Sequence, residues 1–231
     1  MSIANIFDSK IKSMQNVVDT VLLDREHAGR LLGEKLASYK ESNAIVAGIP
    51  NGGVVVAAVI AEVLSLPLTV WPCRRIYDPT DNSRSIGSVC ANDIFIRHCS
   101  RTIPQDYIYH QIAMLRSAIQ NDQKEYYGNC DRNSFLGKTV ILVDDLVDSG
   151  DSIMACIRGI RKMAPAMVVV AVPVVTPEAV RNVRMHADYV VFLHLDPVII
   201  SGNDFFGDFR RIENEEVREL LDRSSIFVKL D

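Results

Sequence analysis

The residues best equipped for chemistry fall in one run, Val140-Ile-Leu-Val-Asp144-Asp145-Leu-Val-Asp148-Ser149-Gly150-Asp151-Ser152. An apolar strand ends there in two acids and passes through a short polar loop into a helix. The loop and the helix start can aim several backbone N–H groups at one point. Gly150 lends conformational freedom, and Ser149 and Ser152 add hydroxyl donors, a set that suits a phosphate dianion. Asp144 and Asp145, adjacent at a strand's end, can accept hydrogen bonds from a vicinal diol. Phosphate donors beside diol acceptors make a candidate ribose 5-phosphate site. It is not a Walker loop, because the GxxxxGK[ST] pattern and its lysine are missing.

The elements that must position this run read as alternating strands and helices. Residues 44–49 form an apolar strand, Pro50-Asn51-Gly52-Gly53 a turn, residues 54–64 a helix, and residues 67–71 a short extended run. After a polar linker at 128–137 the spacing predicts strands at 139–143, 167–175 and 189–194, with helices at 152–163 and 177–185 between them and a loop at 144–151. The strands are nearly all β-branched or Leu, as expected where helices cover both faces of a parallel sheet. The expected fold is α/β, a doubly wound and mainly parallel sheet with its ligand site beyond the carboxyl ends of the strands. Residues 74–103 change character, and their first half reads as a long polar loop, with a helix following at 105–126. Asp24 can cap a helix carrying Ala28, Leu31, Leu32, Leu36 and Tyr39. The predicted organisation is a helical extension at 1–22 and a single domain at 23–231, with a flexible loop near 76–100. A small hood near 195–231 contains an acidic helix at 214–222 and a short tail at 226–230.

Composition narrows the classes. A chain of 231 residues with 48% hydrophobic and 23% charged residues is an ordinary folded protein. Its formal charge of −4 provides no global field for nucleic acid or anionic lipid, so any bound anion needs a local site. The uncharged stretch 42–61 is interrupted by Pro50-Asn51-Gly52-Gly53, which would break a spanning helix. The 5 cysteines are odd in number and show no CxxC spacing, so they read as reduced thiols in cytosol. The N-terminus lacks the order of a signal peptide, since Asp8, Lys10 and Lys12 interrupt it early. Its helical stripe suits a homodimer contact or packing on its own domain.

The strand, acid pair and small-residue loop resemble the phosphoribosyl pyrophosphate (PRPP) motif of the type I phosphoribosyltransferases. The resemblance runs from about Asp24 to Leu221 through Asp24-Arg25-Glu26-His27-Ala28-Gly29-Arg30, Gly48-Ile-Pro-Asn-Gly-Gly53, Arg74-Arg75 with Ile86-Gly87, and Phe206-Gly-Asp-Phe209. Taken in order, these segments look like a branch of predicted phosphoribosyltransferases whose acceptor is unassigned.

The resemblance implies a transferase that moves ribose 5-phosphate from PRPP to a nitrogenous, purine-like base and releases pyrophosphate. By this likeness Asp144 and Asp145 hold the ribose hydroxyls and contact Mg²⁺ directly or through water, while Asp148, Ser149, Gly150, Asp151 and Ser152 wrap the 5-phosphate. Pro50, Asn51, Gly52 and Gly53 form the pyrophosphate loop, with Arg74 and Arg75 reaching the same group. Residues 78–86, including Arg84, act as a closing flap. Asp196, Phe205 and Phe206 belong to the hood that contacts the base. Asp148 has two readings, handling the base proton, or only capping the following helix or structuring the loop. Two departures stand out. Asn51 replaces the usual Arg or Lys of the pyrophosphate loop, and Asp151 puts a carboxylate in a phosphate loop, where its side chain is expected to point to solvent.

Simpler readings stand beside these: two acids at a strand end, a tight turn before a helix, and paired arginines bonded to surface acids. A different class of function is a PRPP-binding sensor or regulator that kept the sugar-phosphate site and lost turnover. A hydrolase built on a generic phosphate loop lacks both a lysine and a nucleophile motif.

Overall fold

The computed structural model describes residues 21–97, 102–127 and 135–224. Residues 1–20 of the expected helical extension and the tail at 226–230 lie outside the described residues, as do Cys99 and Cys130. Asp24 caps α1 (Arg25–Lys35) by accepting the His27 N–H at 2.7 Å. The chain continues through β1 (Ala44–Gly48), α2 (Gly52–Leu64) and β2 (Leu68–Val70), then β3 (Cys73–Asp78), β4 (Asp81–Cys90) and β5 (Ile94–Ile96). After α3 (Gln105–Tyr127) come β6 (Thr139–Val143), β7 (Leu146–Val147), α4 (Asp151–Arg161), β8 (Met167–Val175), α5 (Pro177–Arg184), β9 (Tyr189–Leu195) and α6 (Asn214–Arg223).

Every pairing in the main sheet is parallel, in the order β2-β1-β6-β8-β9. The short β7 follows β6 along the same edge of β8, opposite β9. Alternate side chains leave opposite faces of each strand, and the core divides accordingly. Val46, Ile141, Val143, Val169 and Ala171 pack with α2 and with Val217 and Leu221 of α6. Ile45, Ala47, Val140, Leu142, Val168 and Val170 pack with α4 and α5. From β1 the chain moves outward to β2, whereas β6 lies on the other side of β1 and leads away to β8 and β9. The sheet therefore reverses its direction of winding between β1 and β6, and a crevice opens at their carboxyl ends. The doubly wound expectation holds.

The polar-loop reading of the first half of 74–103 does not. Residues 73–96 form an antiparallel three-stranded sheet, β3-β4-β5. Its apolar side, Ile76, Ile86 and Val89, buries against Ile103, Ile108 and Ile119. Residues 81–84 of β4 are exposed, so no alternation betrays the strand there. Asp78 and Asp81 shape the tip locally, accepting from the Thr80 and Ser83 N–H groups, each at 2.9 Å.

Candidate active site at the sheet's winding reversal

The ends of β1 and β6 are locked side by side. The Ile49 N–H donates to the Val143 carbonyl at 2.8 Å, which extends the β1–β6 pairing up to the acids. The turn into α2 then lies directly on those acids. A Cβ on Gly53 would sit 2.8 Å from the Asp144 Cα, and one on Gly52 would sit 1.9 Å from the Asp145 Oδ2. Only glycine allows this contact between segments some 90 residues apart in sequence.

The two acids occupy different environments. Asp144 is buried, and its Oδ1 accepts the Asp145 N–H at 3.0 Å. Burial, and then the neighbouring Asp145 charge, hold its carboxyl well above the usual carboxylate range, while Arg75 pulls the other way. Asp145 accepts from the Arg25 Nε at 2.8 Å, with side chains only 8% and 16% exposed. Arg25 is itself fixed, donating to the Arg210 carbonyl at 2.9 Å and lying 4.0 Å over the Phe209 ring. Arg210 in turn makes a two-pronged bond to Glu216 of α6, at 2.9 and 2.5 Å, which lowers the Glu216 carboxyl to about 2. The C-terminal helix thus reaches Asp145 through two arginines.

Beyond the acids, β7 and α5 orient the polar loop. The Thr176 hydroxyl donates to the Asp148 carbonyl and accepts the Ala179 N–H, and Asn182 Nδ2 donates to the Ser149 carbonyl at 3.3 Å. In a planar trans peptide the N–H opposes the C=O, so the N–H groups of Ser149 and Gly150 turn away from α5. Gly150, at φ 82°, stands at the N-cap of α4. The first-turn N–H groups of α4 follow it, and helix geometry gives them no carbonyl partner four residues back. Arg75 Nε donates to the Ser152 Oγ at 3.3 Å, which adds a cation to this end of the loop. A run of loop and helix-start amides therefore stands beside two carboxylates, an arrangement able to hold a phosphorylated sugar.

A phosphoribosyl transferase domain model matches residues 22–205, which span the acid pair, the amide loop and the glycine turn. The chain belongs to this family. TT1426 of Thermus thermophilus has a solved structure that is 30% identical, superposes with a TM-score of 0.72, and covers 89% of this chain and 99% of its own. A Mycobacterium tuberculosis protein assigned to the phosphoribosyl transferases is 26% identical over 211 residues, covering 87% of this chain and 46% of its own length. The hypoxanthine-guanine phosphoribosyltransferase of Pan troglodytes is 23% identical over 120 residues, covering 50% of this chain and 55% of that protein. The chain thus spans about half the length of the curated relatives it matches.

Within this phosphoribosyl transferase domain, several expected site residues are placed differently from the sequence reading. Asp151 does not face solvent. It is 4% exposed and accepts from Arg97 Nε at 2.6 Å and from the Ser85 hydroxyl at 3.4 Å, so its charge is neutralised inside the fold. Phe206 does not line an open hood. It is buried with Leu22, Ala28 and Val174 and stacks on Phe209 at 5.0 Å, while Phe205 packs half-buried on the same cluster. Arg74 and Arg75 diverge as strand neighbours must: Arg75 turns to Ser152, and Arg74 pairs with Asp122 of α3 at 2.6 Å. Arg74 still lines a crevice with Pro50, Asn51, Cys73, Arg211 and Asn214.

Asn51 is spent on the C-terminal segment, its Nδ2 donating to the Ile212 carbonyl at 2.7 Å and to Asn214 Oδ1 at 3.2 Å. Arg84 is half-exposed on the β3–β4 hairpin, 3.7 Å from Asp78. Asp196 accepts the Val198 N–H at 2.9 Å and so shapes the turn after β9. Asp148 is exposed, and no side chain caps α4, which removes the capping reading. Sequence reasoning assigned no role to Arg25, Arg97 or Thr176. Arg25 stood inside a matching segment, but nothing in spacing ties residue 25 to residue 145.

Proposed function

We propose that this domain transfers ribose 5-phosphate from PRPP to a nitrogenous, purine-like base with release of pyrophosphate. The observation that carries the reading is the packing of the Gly52-Gly53 turn on Asp144 and Asp145 beside the amide loop of 149–152. In this reading the amides and the hydroxyls of Ser149 and Ser152 grip the 5-phosphate, with Arg75 adding charge. Asp144 and Asp145 accept from the ribose hydroxyls, and Arg25 fixes the carboxylate of Asp145 before the sugar arrives, which lowers the ordering cost of binding. Pro50, Asn51, Gly52 and Gly53, with Arg74 and Arg211 across the crevice, receive the pyrophosphate. The exposed Asp148 handles the proton of the base, and the β3–β4 hairpin bearing Arg84 covers the reacting centre.

Among the described residues no cluster of three His, Cys, Asp or Glu side chains forms a metal cage. This donor set fits a Mg²⁺ ion that keeps most of its water, and Asp144 and Asp145 would hold it. It would supply positive charge to the pyrophosphate leaving group. No described helix is long and apolar enough to cross a membrane. We place the protein in the cytoplasm, as a homodimer, on its thiols and its N-terminal stripe.

The second reading, a PRPP sensor, is favoured by the tether on Asn51, which leaves the pyrophosphate turn without a cation of its own. Titration with PRPP and Mg²⁺, followed by adenine, hypoxanthine, guanine, xanthine, uracil and orotate under a pyrophosphate-release assay, separates the two. Release with a base supports the transferase. Tight PRPP binding without release for any base supports the sensor, and no PRPP binding overturns both.

A further inference from the structure

Three thiols gather immediately behind the amide loop, and the proposed reaction uses none of them. Cys73 opens β3, Cys90 closes β4 and is its register partner, and Cys156 lies on α4. Cys73 is half-buried and forms part of the crevice wall with Pro50, Asn51 and Arg74, so small solutes reach it. Its Sγ lies 3.7 Å from the Ser152 carbonyl, inside the loop segment itself. Cys156 lies one turn further along α4 than Ser152, fully buried in the cluster against which Cys73 packs. Cys90 is also buried, but its Sγ is turned to the Ala155 carbonyl at 3.2 Å. One accessible sulfur thus packs on the cluster that holds a buried one, with the third turned to a carbonyl.

We propose that Cys73 and Cys156 form a peroxide-responsive thiol pair, in which oxidation of Cys73 is resolved by Cys156 into a disulfide that ties the crevice wall to α4. The Cys73 thiolate attacks one oxygen of hydrogen peroxide, the O–O bond breaks, hydroxide leaves, and the sulfur becomes a sulfenic acid. The Cys156 sulfur then attacks the Cys73 sulfur, the S–O bond breaks, and the Cys156 proton leaves with the hydroxyl as water. Two thiols and one peroxide give one disulfide and two waters, with two electrons passing to the peroxide. Burial holds the thiols of Cys90 and Cys156 above their ordinary range, which leaves Cys73 as the entry point. The disulfide removes the S–H that faces the Ser152 carbonyl and ties the middle of α4 to β3, so the helix that carries the amide loop loses freedom to close on a phosphate. The consequence for ligand binding rests on the proposed ribose 5-phosphate site, whereas the disulfide itself does not.

The experiment treats the full chain with hydrogen peroxide, alkylates the remaining thiols and maps the peptides without reduction. A Cys73–Cys156 cross-link that dithiothreitol reverses is expected, and it disappears in Cys73→Ser and in Cys156→Ala but persists in Cys90→Ala. A cross-link through Cys90, or a Cys73 that oxidises while Cys156 stays alkylatable, overturns the proposal. In parallel, ribose 5-phosphate is titrated into reduced and oxidised protein, with at least a fivefold loss of affinity expected on oxidation. A cross-link with unchanged affinity overturns the coupling to the loop. Failure of the reduced protein to bind ribose 5-phosphate refutes the site reading and leaves the thiol pair standing.

Discussion

Replacing Gly52 by Ala tests the geometry on which the site depends. The added methyl carbon would stand 1.9 Å from Asp145 Oδ2 and 2.6 Å from Arg25 Nε, wedged between the partners of a 2.8 Å ion pair. Ordinary contact begins near 3.4 Å, so the carboxylate oxygen must retreat by 3.4 − 1.9 = 1.5 Å. Arg25 cannot follow, because the Arg210 carbonyl and the Phe209 ring hold it. Separating a fully buried pair costs ~3–5 kcal/mol. The 16% exposure of Asp145 lets it turn partly to water, and Ala gains at most ~1 kcal/mol over Gly in a helix. The net loss is ~1–3 kcal/mol, or about 2–4 °C in Tm for each kcal/mol in a chain of this size. Thermal unfolding of the full chain reads it directly. In the double variant Gly52→Ala with Asp145→Ala, the methyl has no carboxylate to displace, so the two losses should be strongly non-additive. An unchanged Tm for Gly52→Ala, or strict additivity, would show that the turn does not lie on the acid pair.

The raised carboxyl of Asp144 has a signed consequence. An acid with a raised folded-state pKa loses stability as pH climbs from its unfolded value to its folded one. Asp144→Asn, which keeps an acceptor for the Asp145 N–H, should therefore raise Tm at about pH 8 and change it little at about pH 3; an equal shift at both would contradict the burial argument. Phe206→Ala should cost ~3–5 kcal/mol of stability in chemical unfolding, as for a core ring, whereas a loss confined to base affinity would return Phe206 to the hood. Asp148→Asn should lower pyrophosphate release far more than PRPP affinity, and equal loss of both would remove its role in handling the base proton. Removing the Asp151 carboxylate with Asp151→Ala should destabilise by ~1–3 kcal/mol, since Arg97 is 29% exposed and can rehydrate; unchanged urea unfolding would refute that pairing.

The parallel sheet was legible because its strands are buried on both faces and bounded by helices with clear stops. The strands at 139–143 and 167–175 needed no revision, and those at 44–49 and 189–194 moved by one residue. The hairpin at 73–90 was hidden because half of β4 faces water and carries Asp81, Asn82, Ser83 and Arg84, which read as loop. The two-residue β7 is too short for any period to register. At the site, the acids and small residues announced themselves by type. Their partners did not, because the bonds of Arg25 to residue 145 and of Arg97 to residue 151 depend on tertiary placement alone. Asp151 looked misplaced in a phosphate loop for the same reason, and the guanidinium that resolves the conflict sits 54 positions away.

The side-chain amide of Asn51 makes the glycine turn and the start of the C-terminal helix a single mechanical unit. A lysine or arginine introduced at position 51 would add charge at the crevice and at once release residues 212–214 from their mooring. Evolution toward a more cationic turn in this lineage must first find those residues another anchor, so affinity for a polyanion and the seating of the last helix are exchanged one for the other.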